Sequence, residues 1–421
     1  MLRFAPSPTG DMHIGDLRVA IFNYIVAQQR EEDFIIRVED LDKEKNIEGK
    51  DQEILDLLAL FNINYSQVIY QSENVRFHSA MALQLVHERK AFSCFCSPEW
   101  LEKKRQESKN SNKIYSYDDA CRNLPAELVI DNTSPFTIRV ARPNSTIVIK
   151  DRVMGDVSFG PDAVDSFVIL NQEKTPTYNF AVAVDDLLSD ISIVIRSADY
   201  MSNTPKQEHI RESLKYDKKI EYAHIPVIDD APTIKYLLEE GFLPVAILNY
   251  LISIGNKSPQ KLLTMEEAIE WFDLSTISNS PTHFDMNRLR EINKEYLKNL
   301  DAKELSRYVG FADTEIGELA RIYLNEVATT KELKEKIAPI FTKRIIPKEF
   351  TEKTARMTSI IKSAPYFEEY NDFKKHIMKE SGLEGEDFLK PLLLLLTNAD
   401  NGPDVAEIYK YLKNYIGEIV K

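Results

Sequence analysis

"RFAPSPTGDMHIGDLR", residues 3–18, is the stretch whose reading decides the fold. Pro6, Pro8, Gly10 and Gly15 interrupt any regular element, yet an apolar helical pattern follows at once. Residues 2–4 read as a short buried strand, the stretch beyond as a loop, and residues 15–29 as a helix. Such a unit leaves backbone N–H groups free at the helix start, where they and the helix dipole attract anions. Gly10 and Gly15 have no Cβ, so a phosphate-bearing ligand can approach the backbone. His13 is placed to donate to a phosphate oxygen, although taken alone it reads better as a capping or core histidine.

Outward from this stretch, "FIIRVED" (34–40) reads as a second strand and residues 50–63 as an amphipathic helix. Strand, helix, strand, helix is the start of a parallel α/β sheet. Helices are expected at 74–90 and 97–108. From 113 to 170 the pattern changes to short β-type runs, "FTIRV", "STIVIK" and "SFVIL", which suggests an inserted subdomain. The α/β pattern resumes with "ISIVIR" (191–196) and a helix near 204. Beyond 233 the chain is mostly helical, broken at Gly241 and Pro244.

The chain has 421 residues, 43% of them hydrophobic, enough for two or more folded domains. No apolar run approaches the roughly 18 residues of a membrane span, and "PLLLLLTNA" (391–399) reads as a buried helix segment. The start, "MLRFAPSPTG", carries no signal-peptide apolar core, and three cysteines make no disulfide framework, so a cytoplasmic protein is expected. The net charge of −14, taken alone, argues against nucleic acid as a partner. Distribution matters more than the total. Lys343, Arg344, Lys348, Lys353, Arg356, Lys374, Lys375 and Lys379 make residues 331–379 locally basic, either a solvated helical face or a docking face.

The run RFAPSPTG followed by H-I-G-x-x-R resembles the first signature of the bacterial glutamyl-tRNA synthetases of class I. "RVEDLD" (37–42) resembles a second block of that family, "TPTYNFAVAVDD" (175–186) a third and "IRSADYMSNTPKQ" (195–207) a fourth. "YAHIPVI" and "EEGFLPVAILNYL" also fit, and the resemblance fades after about residue 290. It implies a Rossmann-type parallel-sheet catalytic domain with an α+β insertion, followed by all-α C-terminal domains. The implied divisions are 1–72 and 177–212 for the two catalytic halves and 73–176 for an acceptor-end-binding insertion. A stem-contact region follows at 213–295, then a helical anticodon-binding domain at 296–421.

The resemblance implies ATP-dependent ligation of L-glutamate to the 3′ end of tRNA-Glu, tRNA-Gln or both, through a glutamyl-adenylate, with Mg²⁺ and as a monomer. A selective glutamate site needs two cations and an anion. Arg3 and Arg196 would hold the carboxylates, Glu39 would face the ammonium, Tyr178 would donate its hydroxyl, and Ser7 and the backbone at Ala5 would complete the cradle. His13 and the helix start at Gly15 would meet the phosphates, with Asp199 and Tyr200 on the nucleotide. Ser197, Ala198 and Tyr200 depart from the family pattern. Arg37, Asp40 and Asp42 read better as a salt-bridged loop. The identity requires Arg3 and Arg196 in one place, with neither consumed by an unrelated salt link.

Two further features matter. Cys94, Cys96 and Cys121 have spacing that resembles a zinc site of some family members, with Tyr117 as the fourth candidate ligand; the alternative is three buried thiols. Between Ile228 and Ala231 the family's K-M-S-K-type loop is missing. Family-like flanks favour a mobile loop left out of the sequence over a true deletion. A true deletion would slow adenylation by orders of magnitude, and it keeps a catalytically impaired tRNA-binding paralogue as the alternative. A small-molecule nucleotidyltransferase or the shortened tRNA-modifying relative would not need so long a helical tail.

Overall fold

The computed structural model describes residues 1–112, 115–256 and 262–420. The chain opens with β1 (Leu2–Phe4), α1 (Ile14–Arg30), β2 (Phe34–Val38), α2 (Lys50–Leu60) and β3 (Gln67–Tyr70), and the strands form a parallel sheet in the order β1-β2-β3. Every residue of β1 and β2 is buried, which explains their continuous apolar runs. In α1, Ile14, Leu17, Ile21 and Ile25 recur at helical spacing and are all fully buried.

Next come α3 (Val75–His87), β4 (Ala91–Cys94), α4 (Pro98–Asn110), α5 (Ala126–Ile130), β5 (Thr137–Val140), β6 (Ile147–Asp151), β7 (Gly155–Phe159) and β8 (Val168–Leu170). β4, β5 and β8 make an antiparallel sheet of their own. The chain returns through α6 (Tyr178–Leu188), β9 (Ile193–Ser197), α7 (Thr204–Ser213) and β10 (Glu221–Ile225). These join a sheet ordered β7-β6-β10-β9, in which β10 is parallel to both β9 and β6. "STIVIK" therefore lies beside the returning catalytic strands rather than in the antiparallel sheet of the insertion. β7 was not foreseen, because "GDVSF" is mostly exposed and carries no apolar run. The Ser192 N–H donates to the Met1 carbonyl at 3.0 Å, so β1 and β9 abut and their C-terminal ends open on one crevice.

β11 (Ile228–Asp229) leads into α8 (Ile234–Glu239), α9 (Pro244–Ser253) and α10 (Met265–Trp271), and β11 pairs with β12 (Thr282–His283). The chain is continuous from Ile228 through Asp229, Asp230 and Ala231 to Ile234. A turn occupies the place where the resemblance puts the K-M-S-K-type loop. Asp230 adopts a left-handed φ of 57°. The Ile14 N–H then donates to the Pro232 carbonyl at 3.1 Å, and the Ile234 N–H to that of Met12 at 2.9 Å.

Two compact units result, one of residues 1–234 with 251–284 and one of 235–250 with 285–421. The second is all-helical: α11 (Met286–Asn299), α12 (Ala302–Tyr308), α13 (Thr314–Ile322), α14 (Thr330–Ile337), α15 (Thr351–Ser363), α16 (Tyr370–Ser381), α17 (Glu386–Thr397), α18 (Val405–Leu412) and α19 (Ile416–Ile419). Asp301 with Glu304 and Thr329 with Glu332 close capping boxes on α12 and α14. α17 buries Leu392 to Leu396, as the leucine run predicted. Among the described residues no helix is long and apolar enough to cross a membrane.

Candidate active site

A cavity of about 420 Å³ opens at the C-terminal ends of β1, β2 and β9. Arg3, Ala5, Ser7, His13, Glu39, Tyr178, Arg196 and Tyr200 all line it, so eight residues from four sequence blocks converge on one crevice. Two expected residues stand apart. Asp199 and Gly15 are not among its lining residues. A Cβ built on Gly10 or Gly15 would meet nothing within 4 Å, so each leaves open space for a ligand.

The two arginines differ in what holds them. Arg196 is buried, and Nε donates to His224 Nε2 at 3.1 Å, Nη1 to Gln207 Oε1 at 2.9 Å and Nη2 to Thr204 Oγ1 at 2.7 Å. Among the described residues no carboxylate pairs with it. Burial, and then the like charge of Arg3, hold its guanidinium pKa below the ordinary value. A buried cation without a counter-ion is costly, so this arrangement is built for an anion that arrives with the ligand. Two of its five N–H groups remain for that anion.

Arg3 departs from the expectation. Its Nε and Nη2 donate to Asp186 Oδ1 and Oδ2 at 3.2 and 3.3 Å, and both residues are buried. The link belongs to the site rather than competing with it. Asp186 also accepts from Arg37 Nη1 at 2.5 Å, and Arg37 Nη2 donates to Glu39 Oε1 at 3.3 Å. Burial opposes ionisation of Asp186, but Arg3 and Arg37 outweigh it and hold its carboxyl well below the usual range. Arg3 Nη1 has no partner among the described residues and can take a ligand oxygen. Arg3, Arg37 and Arg196 thus gather beside Glu39 and Asp186.

Arg37 is therefore no loop residue: it sits fully buried in β2. Asp40 accepts from the Ser72 N–H and hydroxyl at 2.8 and 2.6 Å, and only Asp42, paired with Lys45 at 2.7 Å, makes the exposed loop bridge that was expected. Burial raises the Glu39 pKa while Arg37 and Arg3 oppose the rise. An arriving ammonium would oppose the rise as well. The Tyr178 ring lies 6.2 Å from that of Tyr200, and the Arg196 guanidinium lies 5.9 Å from the centre of the Tyr200 ring.

His13 precedes α1, and its backbone N–H donates to Asp16 Oδ2 at 3.1 Å. Its Nδ1 lies 3.0 Å from the Ala231 carbonyl, an acceptor only, so the neutral ring carries its proton on Nδ1. Arg18 is a clamp rather than a ligand group: it is buried and donates to the Pro226 and Ile254 carbonyls at 3.2 and 2.8 Å. Sequence reasoning missed Asp186, His224 and Asp151, whose partners lie too far along the chain to be recognised.

In the insertion, the sulfurs of Cys94, Cys96 and Cys121 lie within 4.8 Å of one another. Tyr117 Oη is 3.4 Å from the Cys94 sulfur and 3.3 Å from that of Cys96. Burial raises the Cys96 thiol pKa to about 12. At Cys94 burial acts the same way, but hydrogen bonds from Tyr117, the Cys96 backbone and Arg139 prevail and the thiol pKa is lowered.

In the helical unit Tyr308 and Tyr366 are exposed, whereas Phe367 packs against Phe373 and His376. Arg344, counted above as part of the basic run, is a structural clasp. Its guanidinium donates to the carbonyls of Leu395, Ile340 and Thr342 at 2.6 to 2.8 Å, and burial lowers its pKa to about 10.

Residues 1–291 match the family described as tRNA synthetases class I (E and Q), catalytic domain. The chain is 62% identical to glutamate–tRNA ligase 2 of Sulfurimonas denitrificans and 49% identical to glutamate–tRNA ligase 1 of Nitratiruptor sp.. Each alignment spans 432 positions and all of both chains; with 421 residues, this chain lacks at least 11 of those positions. The fold is similar to a crystal structure of a glutamate–tRNA ligase from Elizabethkingia meningosepticum in complex with its amino acid. The TM-score is 0.83 at 22% identity, over 99% of this chain and 97% of that one.

Proposed function

The chain belongs to the class I tRNA synthetases of the E and Q type, and from that premise we propose that it joins L-glutamate to the 3′ end of tRNA with ATP. The observation that carries this reading is Arg196, a buried cation that faces the cavity and pairs with no carboxylate among the described residues. One ligand carboxylate pairs with Arg196 and the other with Arg3 Nη1, while the ammonium faces Glu39. Glutamine would leave a buried arginine facing a neutral amide, a penalty of about 1–3 kcal/mol.

An α-carboxylate oxygen of glutamate attacks the α-phosphorus of ATP, and pyrophosphate leaves. The terminal ribose hydroxyl of tRNA then attacks the activated carbonyl, and AMP leaves. The protein aligns the reactants and offsets phosphate charge with His13 and the start of α1. Because His13 Nδ1 faces Ala231, its Nε2 is the atom left for a phosphate, and it donates there only as the imidazolium. Mg²⁺, when bound, neutralises the phosphate oxygens. Residues 73–176 would receive the acceptor end, and residues 296–421, with exposed Tyr308 and Tyr366, the anticodon.

Charging purified tRNA-Glu and tRNA-Gln transcripts with radiolabelled glutamate and glutamine tests this reading. Glutamate should be esterified to at least one tRNA and glutamine to neither; failure with both tRNAs under saturating ATP contradicts it.

The insertion fits a structural zinc ion. With Zn–S bonds of about 2.3 Å, tetrahedral sulfurs lie just under 4 Å apart, and those of Cys96 and Cys121 are 3.6 Å apart. Cys94, Cys96 and Cys121 would hold the ion, with Tyr117 fourth, and it would pin β4 to the segment around Cys121. The purified protein should carry one zinc per chain, and Cys121→Ser should lose it while leaving the glutamate KM within about twofold.

A further inference from the structure

Three uncharged groups hold Arg196, and one of them is uncharged only conditionally. His224 Nε2 accepts the Arg196 Nε–H at 3.1 Å, which requires a neutral ring with its proton on Nδ1. Asp151 imposes that state. Its Oδ2 lies 2.6 Å from His224 Nδ1, and its carboxylate also accepts the backbone N–H groups of Val153, Met154 and His224. Asp151, at the end of β6, therefore connects through His224 on β10 to Arg196 on β9 and the cavity. All three are buried.

We propose that His224, oriented by Asp151, is a positioning residue for carboxylate recognition: it aims the Arg196 guanidinium at the cavity through a neutral acceptor, leaving the arginine's charge to the substrate. The proposal rests on the reading of Arg196 as the carboxylate-binding group. Arg3 shows the contrast, since its charge is shared with Asp186. A carboxylate in place of His224 would neutralise Arg196 in the empty site and compete with glutamate. An apolar residue would leave Nε without an acceptor.

The charged and titratable groups facing His224 are Asp151 from β6, Arg196 from β9, Arg3 from β1 and Tyr222 on its own strand, whose ring stacks at 6.0 Å. α7 contributes Thr204, whose Oγ1 lies 3.0 Å from Nε2. Burial lowers the His224 pKa, Arg196 and Arg3 lower it further, and Asp151 opposes them. Protonation would turn the acceptor into an N–H directed at a guanidinium, so the arrangement fails only in acid, below the ordinary histidine range.

The test is tRNA-dependent ATP–pyrophosphate exchange by the full chain, with KM for glutamate and for ATP measured from pH 5 to 8. In the wild type the glutamate KM should rise on the acid side while the ATP KM stays within about twofold. His224→Gln, whose amide oxygen reaches the Nε2 position and does not titrate, should flatten that rise to the part left by Glu39, whose pKa burial raises. His224→Leu should raise the glutamate KM about 10- to 100-fold, the loss of one hydrogen bond to a charged group, with the ATP KM little changed. An acid rise as steep in His224→Gln as in the wild type, or an unchanged glutamate KM in His224→Leu, overturns the proposal. If His224→Leu does not fold, the comparison of wild type with His224→Gln decides alone. A normal glutamate KM in Arg196→Leu would instead overturn the reading of the site itself.

Discussion

Arg3 and Arg196 reach the same cavity from opposite halves of the divided nucleotide fold, yet their environments assign them different work. Arg3 is braced by Asp186, within a chain that continues through Arg37 to Glu39. Among the described residues Arg196 is braced by neutral acceptors alone. Replacing Arg196 by leucine removes a charge that only the ligand satisfies. Glutamate kcat/KM should fall by about 10²–10⁴, the scale of a broken buried ion pair, in an exchange assay that leaves the ATP KM nearly unchanged. The same groups set an acid limit on stability. His224 and His209 have lowered pKa values, chiefly through burial. The unfolded chain binds protons below about pH 6.5 that the native chain refuses, so stability is lost as pH falls through that value, by up to about 1.4 kcal/mol per histidine per pH unit. Asp186 and Asp151 also have lowered values, so what they contribute persists above the ordinary carboxylate range and is lost below it. Thermal midpoints should be flat from pH 8 to 7 and decline from about 6.5 downward. A midpoint that rises on acidification would contradict this.

Among the elements, the α12–α13 pair and the β11–α8 turn carry the clearest consequences. Gly317 lies in α13 where a Cβ would come within 1.6 Å of the Ala302 carbonyl. Backbone on both sides cannot yield cheaply, so Gly317→Ala should destabilise the helical unit by about 2–4 kcal/mol, read as a lower denaturant midpoint. The β11–α8 turn stands where the resemblance puts a lysine-bearing loop, and its Pro232 carbonyl takes one N–H of α1. Without such lysines, fewer cations would meet the triphosphate. Inserting a Lys-Met-Ser-Lys-bearing loop between Ile228 and Ala231 should accelerate pyrophosphate exchange by about 10²-fold or more; an unchanged rate would show that the present turn already suffices. The sequence made most of these elements visible, since β1, β2 and α1 advertise themselves by burial period. It could not reveal β7, whose residues pack little, nor that β6 joins β10. A single backbone pair, Tyr222 with Asp151, sets that parallel register, and no local pattern encodes a partner 71 positions away.

At the scale of the whole molecule, motif residues converge because the nucleotide fold brings distant strand ends to one crevice, as the order of blocks implied. Eight of the ten expected glutamate- and ATP-site residues line the cavity. What was not legible is the wiring behind them. Asp186 is 183 residues from Arg3 and 149 from Arg37, and His224 is 28 from Arg196. Each reads in isolation as an ordinary polar residue next to an apolar run. The basic run in the helical unit was likewise legible as charge but not as structure, because Arg344 is turned inward onto carbonyls. The account as a whole stands on a seat for a dicarboxylate formed by the two arginines. A crystal structure of the protein with L-glutamate tests it most directly. One carboxylate should lie within about 3.2 Å of Arg196 Nη1 or Nη2 and the other within the same distance of Arg3 Nη1. A bound glutamate that contacts neither guanidinium, or that displaces Asp186 from Arg3 while leaving Arg196 untouched, would contradict it.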